Sequence, residues 1–151
     1  MLSDGEVIGI AVLIAVTIVV SIAYVFWIQG NPFMDTGIDI VVIAHSVNYT
    51  GDGWRIWLLI GNHGSRTADI EYLLLNNRVC NIDVNVTRNR VIEHYTLPGQ
   101  PVPIEPSESI EMVFHTANIK GCDITVSPGL HLRLTLRTSQ GRDYYREIII
   151  P

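Results

Sequence analysis

From Val7 to Ile28 the chain runs for 22 residues without a charge, VIGIAVLIAVTIVVSIAYVFWI. As a helix this length covers about 33 Å, close to the thickness of a bilayer's hydrocarbon core. No polar stripe interrupts it, so the helix needs apolar surroundings on every side rather than one wet face. Gly30-Asn31-Pro32 predicts its end, since Gly30 tolerates a left-handed cap and Pro32 cannot continue a helix. Tyr24, Phe26 and Trp27 fall in the last turns, either as an interfacial aromatic belt or as packing against a β-domain or a neighbouring subunit.

Beyond Pro32 the hydrophobic period shortens to that of strands. Strands are expected over 38–47, 54–62, 69–75, 91–96, 109–114, 130–137 and 144–150. Between them lie turn signals such as Gly51-Asp52-Gly53, Asn76-Asn77, the stretch Pro98–Pro106 and Ser127-Pro128-Gly129. Seven or so short strands with no helix among them predict an antiparallel β-sandwich of immunoglobulin-like size. The fold class is therefore α+β, with an apolar helix over residues 1–31 and a sandwich over 32–151. Leu130, Leu132, Leu134 and Leu136 alternate with polar residues, as in a sheet with one wet face. The segments 54–60 and 38–44 are apolar on nearly both faces, which predicts that part of an outer face is covered, by the helix's C-terminal end or by another copy.

Composition adds constraints to this plan. At 151 residues there is room for about one globular domain, and the formal net charge of −5 opposes binding to phosphate backbones, so no nucleic-acid partner is expected. Cys80 and Cys122 read as one disulfide if the domain is exported and as two thiols if it is cytosolic. The sequons Asn48-Tyr49-Thr50 and Asn85-Val86-Thr87 favour export, with Asn48 and Asn85 as candidate N-glycosylation sites. The five histidines show no His-x-x-x-His spacing and the cysteines no Cys-x-x-Cys, so neither a metal, a cofactor nor catalysis is expected. Glu105, Glu108 and Glu111 read as a solvated face.

The segment ahead of the apolar run, Met1-Leu2-Ser3-Asp4-Gly5-Glu6, holds two acids and no base, and no Lys or Arg precedes Arg55. A plain membrane anchor prefers Lys or Arg on its inner flank, so the N-terminus reads either as a processed one or as an unusual one for a plain anchor. Glu6 has two readings: it pairs with the α-amino group of an adjacent subunit, or together with Asp4 it favours a helix N-terminus.

The whole layout resembles the archaeal type IV pilins. The resemblance is strongest in Leu58-Leu59-Ile60-Gly61-Asn62-His63-Gly64-Ser65 and in Ala68–Asn77, and it extends to Ile104-Glu105-Pro106-Ser107, the terminal hairpin 137–150 and the helix end Tyr24–Gly30. It implies a homopolymer whose core is built by the helix, through Glu6, Val7, Ile10, Leu13, Ile14, Ile18, Ile22, Phe26 and Trp27. It further implies membrane insertion before assembly, a prepilin peptidase and a pilus assembly machinery as partners, glycans on the head, and adhesion by an extracellular filament. The leader that such precursors carry is not visible here; with Leu2 first in the mature chain, Glu6 would take the place where many bacterial pilins have a glutamate. Two alternatives remain open: an archaellum subunit, and a single-pass anchor bearing an extracytoplasmic binding domain.

Overall fold

The computed structural model describes residues 1–29 and 37–151, which divide into two compact units, Met1–Asp35 and Thr36–Pro151. The expected helix stop at Gly30–Pro32 and the expected boundary between residues 31 and 32 lie outside the described residues. The first unit is one helix, α1 (Asp4–Gln29).

In the second unit the chain forms β1 (Ile40–Tyr49), β2 (Trp54–Asn62), β3 (Ala68–Leu75), β4 (Arg78–Val79), β5 (Ile82–Arg88) and β6 (Val91–Leu97). It continues through β7 (Val102–Ile104), β8 (Ser109–His115), a 3₁₀ turn at Thr116–Asn118, β9 (His131–Thr138) and β10 (Asp143–Ile149). The first sheet has the order β1-β2-β8-β5-β6 and the second β10-β9-β3-β4, with β7 alongside β3. All pairings are antiparallel. The expected sandwich is present, with three strands more than the seven read from the pattern.

The additional strands have physical explanations. In β5, Ile82, Val84 and Val86 are buried and alternate with Asp83, Asn85 and Thr87. Asp and Asn are depleted in strands, which hides the alternation, yet here they point outward from a wet face and cost little. The short β7 lies in the proline-rich stretch and pairs with Ala68–Ile70, burying Val102 and Ile104. Pro103 has no N–H to donate and is tolerated because β7 ends the pairing there. The two-residue β4 is too short to show a period.

The core fills the space between the sheets. Ile56, Leu58 and Ile60 of β2 with Ile110 and Met112 of β8 meet Leu73 and Leu75 of β3 and Leu132, Leu134 and Leu136 of β9, all fully buried. Cys80 and Cys122 are joined, with Cα atoms 5.1 Å apart across 42 positions, and no free cysteine remains. Closing a loop of that size stabilises the fold by roughly 4 kcal/mol on the chain-entropy model. It ties the irregular segment after the 3₁₀ turn, whose Ile119, Ile124 and Val126 pack on the core, to the start of β5.

Polar groups brace the ends of the sandwich. Arg88 donates to Glu108 and to the carbonyl of Pro103, so Glu108 belongs to a half-buried ion pair, while Glu105 and Glu111 are exposed. Arg137 donates two hydrogen bonds to Asp143, at 2.6 and 2.8 Å, which hold that carboxyl below its usual range.

The segment that carries the strongest resemblance proves to be a clip. Asn62 is fully buried; its amide donates to the carbonyls of Arg66 (2.7 Å) and Ile104 (2.9 Å), and its side-chain oxygen accepts from Gly64 N–H (2.9 Å). The turn so fixed reaches back to the first described residues of the head: His63 N–H donates to Asp39 and Arg66 N–H to Gly37. A Cβ at Gly64 would lie 2.7 Å from Asp39 N and 2.8 Å from Gly37 O, so no side chain fits. Replacing Asn62 by Ala removes the partner of the buried Ile104 carbonyl and of the part-buried Arg66 carbonyl and Gly64 N–H. We expect Asn62→Ala to lower stability by about 1–3 kcal/mol, read as a lower thermal midpoint of the full chain in detergent; an unchanged midpoint would contradict the role of the clip.

Candidate assembly surface

Helix α1 begins on a reciprocal cap. Ser3 Oγ accepts from Glu6 N–H at 3.4 Å, and the Glu6 carboxylate accepts from Ser3 N–H at 2.8 Å and from the Ser3 hydroxyl at 3.2 Å. This is the capping box, in which residues three apart satisfy each other's free donors. Within one chain it gives Glu6 a part in the helix start, and the signal that reveals it in sequence is the spacing Ser3-x-x-Glu6. From Val7 onward the backbone bonds run four residues back, beginning with Val7 N–H to Ser3 O.

The two aliphatic hydroxyls inside the run are satisfied locally. Thr17 donates to Leu13 O and Ser21 to Thr17 O, both at 2.7 Å. Neither requires a partner outside the helix. What remains is a rod whose every described side chain is exposed, long and apolar enough to cross a membrane over Asp4–Ile28.

The residues expected to assemble do not form one stripe. At about 100° per residue, Val7, Ile14 and Ile18 share one side of the helix while Leu13 and Trp27 project from the other. Leu13 is 70% exposed, Phe26 72% and Trp27 67%. Tyr24 and Trp27 lie one turn apart with ring centroids 6.4 Å apart. A rod so constituted offers adhesive surface in all directions, which suits burial among several neighbours better than a two-helix seam.

The other expected sites are on the head. Asn48 near the end of β1 and Asn85 in the middle of β5 are both exposed, and the register places both on the outer face of the first sheet. The Asn85 side-chain oxygen meets His94 Nδ1. Thr50 of the first sequon bonds Asp52 and His115, closing the β1–β2 turn. Among the described residues, no three His, Cys, Asp or Glu side chains lie together as metal ligands would.

On that outer face Trp57 and Leu59 are half-buried and Trp57 donates to Glu111. Being central, β2 has its outer residues partly covered by both neighbouring strands, which accounts for much of its two-sided apolar character. Val41 and Ile43 on the edge strand β1 stay exposed. The cover expected for them is a matter between units or between copies.

No protein-family model matches the chain, and no curated protein matches it. Among solved structures it is similar to the archaeal flagellum of Methanospirillum hungatei strain JF1, at 13% identity, covering 99% of this chain and 94% of that one, with a TM-score of 0.46. It is also similar to the apo PCuAC domain from PmoF1, at 11% identity over 76% of this chain and 93% of that one, with a TM-score of 0.39. A third is Spo0M, a sporulation control protein from Bacillus subtilis, at 14% identity over 75% of this chain and 48% of that one, with a TM-score of 0.33.

Proposed function

We propose that this chain is the structural subunit of an extracellular filament of the archaeal type IV pilus class, polymerising through α1 and serving surface adhesion. The observation that carries the reading is the rod itself, apolar around its whole circumference and without a polar side to turn to water. It holds thirteen Val, Leu and Ile residues between Val7 and Ile28. At about 1.5–3 kcal/mol each, exposing them to water costs roughly 20–40 kcal/mol. Lipid removes that cost while the subunit waits in the membrane, and identical helices remove it in the filament. The transfer is close to neutral in hydrophobic terms, so it is governed by packing and by the assembly machinery that drives it. Gly9, Ala11, Ala15, Ser21 and Ala23 let neighbouring helices approach closely.

In this reading a prepilin peptidase prepares the N-terminus, and the disulfide-closed sandwich coats the filament. Asn48 and Asn85, both on one exposed face, carry N-linked glycans. Peptide mass spectrometry of native material is expected to find both asparagines modified, and unmodified peptides at both positions would remove the glycans from the account.

Material sheared from cells without detergent is expected to show filaments by negative-stain electron microscopy, and Leu13→Asp is expected to abolish them while leaving the head folded. Discrete particles that appear only in detergent would instead indicate a single-pass anchor bearing a binding domain. Rotation of the filaments on living cells would place them among archaella.

The cap makes a separate forecast. With Glu6 already bonded to Ser3, Ser3→Ala and Glu6→Ala are expected to loosen the first turn to a similar degree and to leave assembly intact. Loss of filaments in Glu6→Ala alone would restore the pairing with a neighbour's α-amino group.

A further inference from the structure

The two sequons share one face of the first sheet but occupy different kinds of position in it. Asn48 belongs to β1, an edge strand of that sheet, and lies two residues before the β1–β2 turn, opposite Arg55 of its one partner strand. Asn85 stands in β5, the fourth of five strands, between His94 of β6 and Val113 of β8. All seven positions of β5 pair with β6, and four of them, Val84 to Thr87, pair with β8 as well. Val86, the middle residue of that sequon, is fully buried in the core. Just ahead of β5, Cys80 is bridged to Cys122, and Asn81 exchanges two backbone hydrogen bonds with Lys120, at 2.7 and 2.9 Å. The Asn85 sequon is thus held on both flanks and at its start.

An amide nitrogen is a poor nucleophile, because its lone pair is delocalised into the carbonyl, so glycan transfer to it needs catalytic groups placed around the amide. In the transfer, Asn Nδ2 forms a bond to C1 of the sugar. The bond from C1 to the phosphate of a lipid-linked donor breaks, the phosphate keeps the electron pair, and one amide proton passes to a carboxylate of the transferase. Such groups can surround the amide only where the acceptor chain stands clear of its neighbours. Adjacent strands lie about 4.8 Å apart, so His94 and Val113 fill the space beside Asn85 that those groups would need. His94 also holds the Asn85 side-chain oxygen.

We infer that Asn85 accepts a glycan only before β5 is paired into its sheet, whereas Asn48 still accepts one in the folded head. The inference rests on the proposed glycans and adds their order: transfer at Asn85 precedes closure of the sheet and of the Cys80–Cys122 bridge. Freeing Asn85 afterwards means drawing β5 from between two partners and exposing Ile82, Val84 and Val86, all buried. Core strands open at close to the free energy of global unfolding, and peripheral segments open far more readily. At Asn48 the segment to be freed is short and peripheral. It comprises the rungs Asn48–Arg55 and Tyr49–Trp54, the Tyr49 and Trp54 rings 5.1 Å apart, and the Thr50 hydroxyl bonded to Asp52, Gly53 O and His115. Asn48, Tyr49, Thr50 and Asp52 are all exposed.

Order of addition tests this on the full chain, produced in a host that lacks N-glycan transfer and purified in detergent. One sample is folded with its disulfide closed and then given a purified single-subunit oligosaccharide transferase with its lipid-linked donor. The other is reduced and denatured in urea, then diluted into the same mixture, so that transfer competes with folding. Peptide mass spectrometry reads occupancy at each asparagine. Asn48 is expected to be modified in both samples, and Asn85 in the second, with its occupancy in the folded sample lower by about tenfold or more. Equal Asn85 occupancy in the two orders overturns the inference. An Asn85 left bare in both while Asn48 is modified does the same, since folding is then not what withholds it. So does an Asn48 left bare in the folded sample, because position in the sheet then makes no difference. Native material answers the separate question of whether glycans are present: bare peptides there remove them from the proposed function and leave the measured order standing.

Discussion

A helix with no wet side places one demand on everything around it: its environment has to be apolar in every direction, before and after it does its work. Inside α1, Thr17 and Ser21 bond their own backbone. Between Val7 and Ala23 no other polar side chain is present to favour one partner over another. Selectivity has to come from shape, from small residues that admit close neighbours, and from whatever the attached head permits. The sandwich is built on the opposite principle, with its apolar residues turned inward and its identity set by specific polar clips.

That contrast separates what the chain announces from what it conceals. The rod is legible because burial on all sides leaves an unbroken run of apolar letters, and the strands with one wet face are legible because Leu132, Leu134 and Leu136 alternate with polar neighbours. The strand at 82–88 escapes notice because its outward positions are Asp83, Asn85 and Thr87, residue types that usually mark loops. Only its place between β8 and β6 explains why they are tolerated.

The sites divide in the same way. Residues named for the rod are recognisable as apolar, but their distribution around the helix axis emerges only with three-dimensional phase. The reciprocal bond between Ser3 and Glu6 has a plain four-letter signature, yet an acid ahead of an apolar run invites an intermolecular partner first. The hollow between β1 and β10 is invisible in the sequence altogether, since residues 40–42 and 143–146 meet only once the strand order places both strands at sheet edges. Asn62-His63-Gly64-Ser65 is the reverse case: a pattern recognisable by eye, whose cause is that the backbone of residues 37–39 passes too close to Gly64 to admit a Cβ.

The position of that clip bears on mechanics. Gly37 and Asp39 are held by the backbone of Arg66 and His63, and the Ile38 carbonyl accepts from Tyr144 and Arg142. A pull applied through the preceding chain meets four hydrogen bonds to two separate parts of the sandwich before it reaches the first rung of β1. Load is thereby shared between the start of one sheet and the last strand of the other, so tension strains the domain as a whole instead of unzipping it from its N-terminal edge.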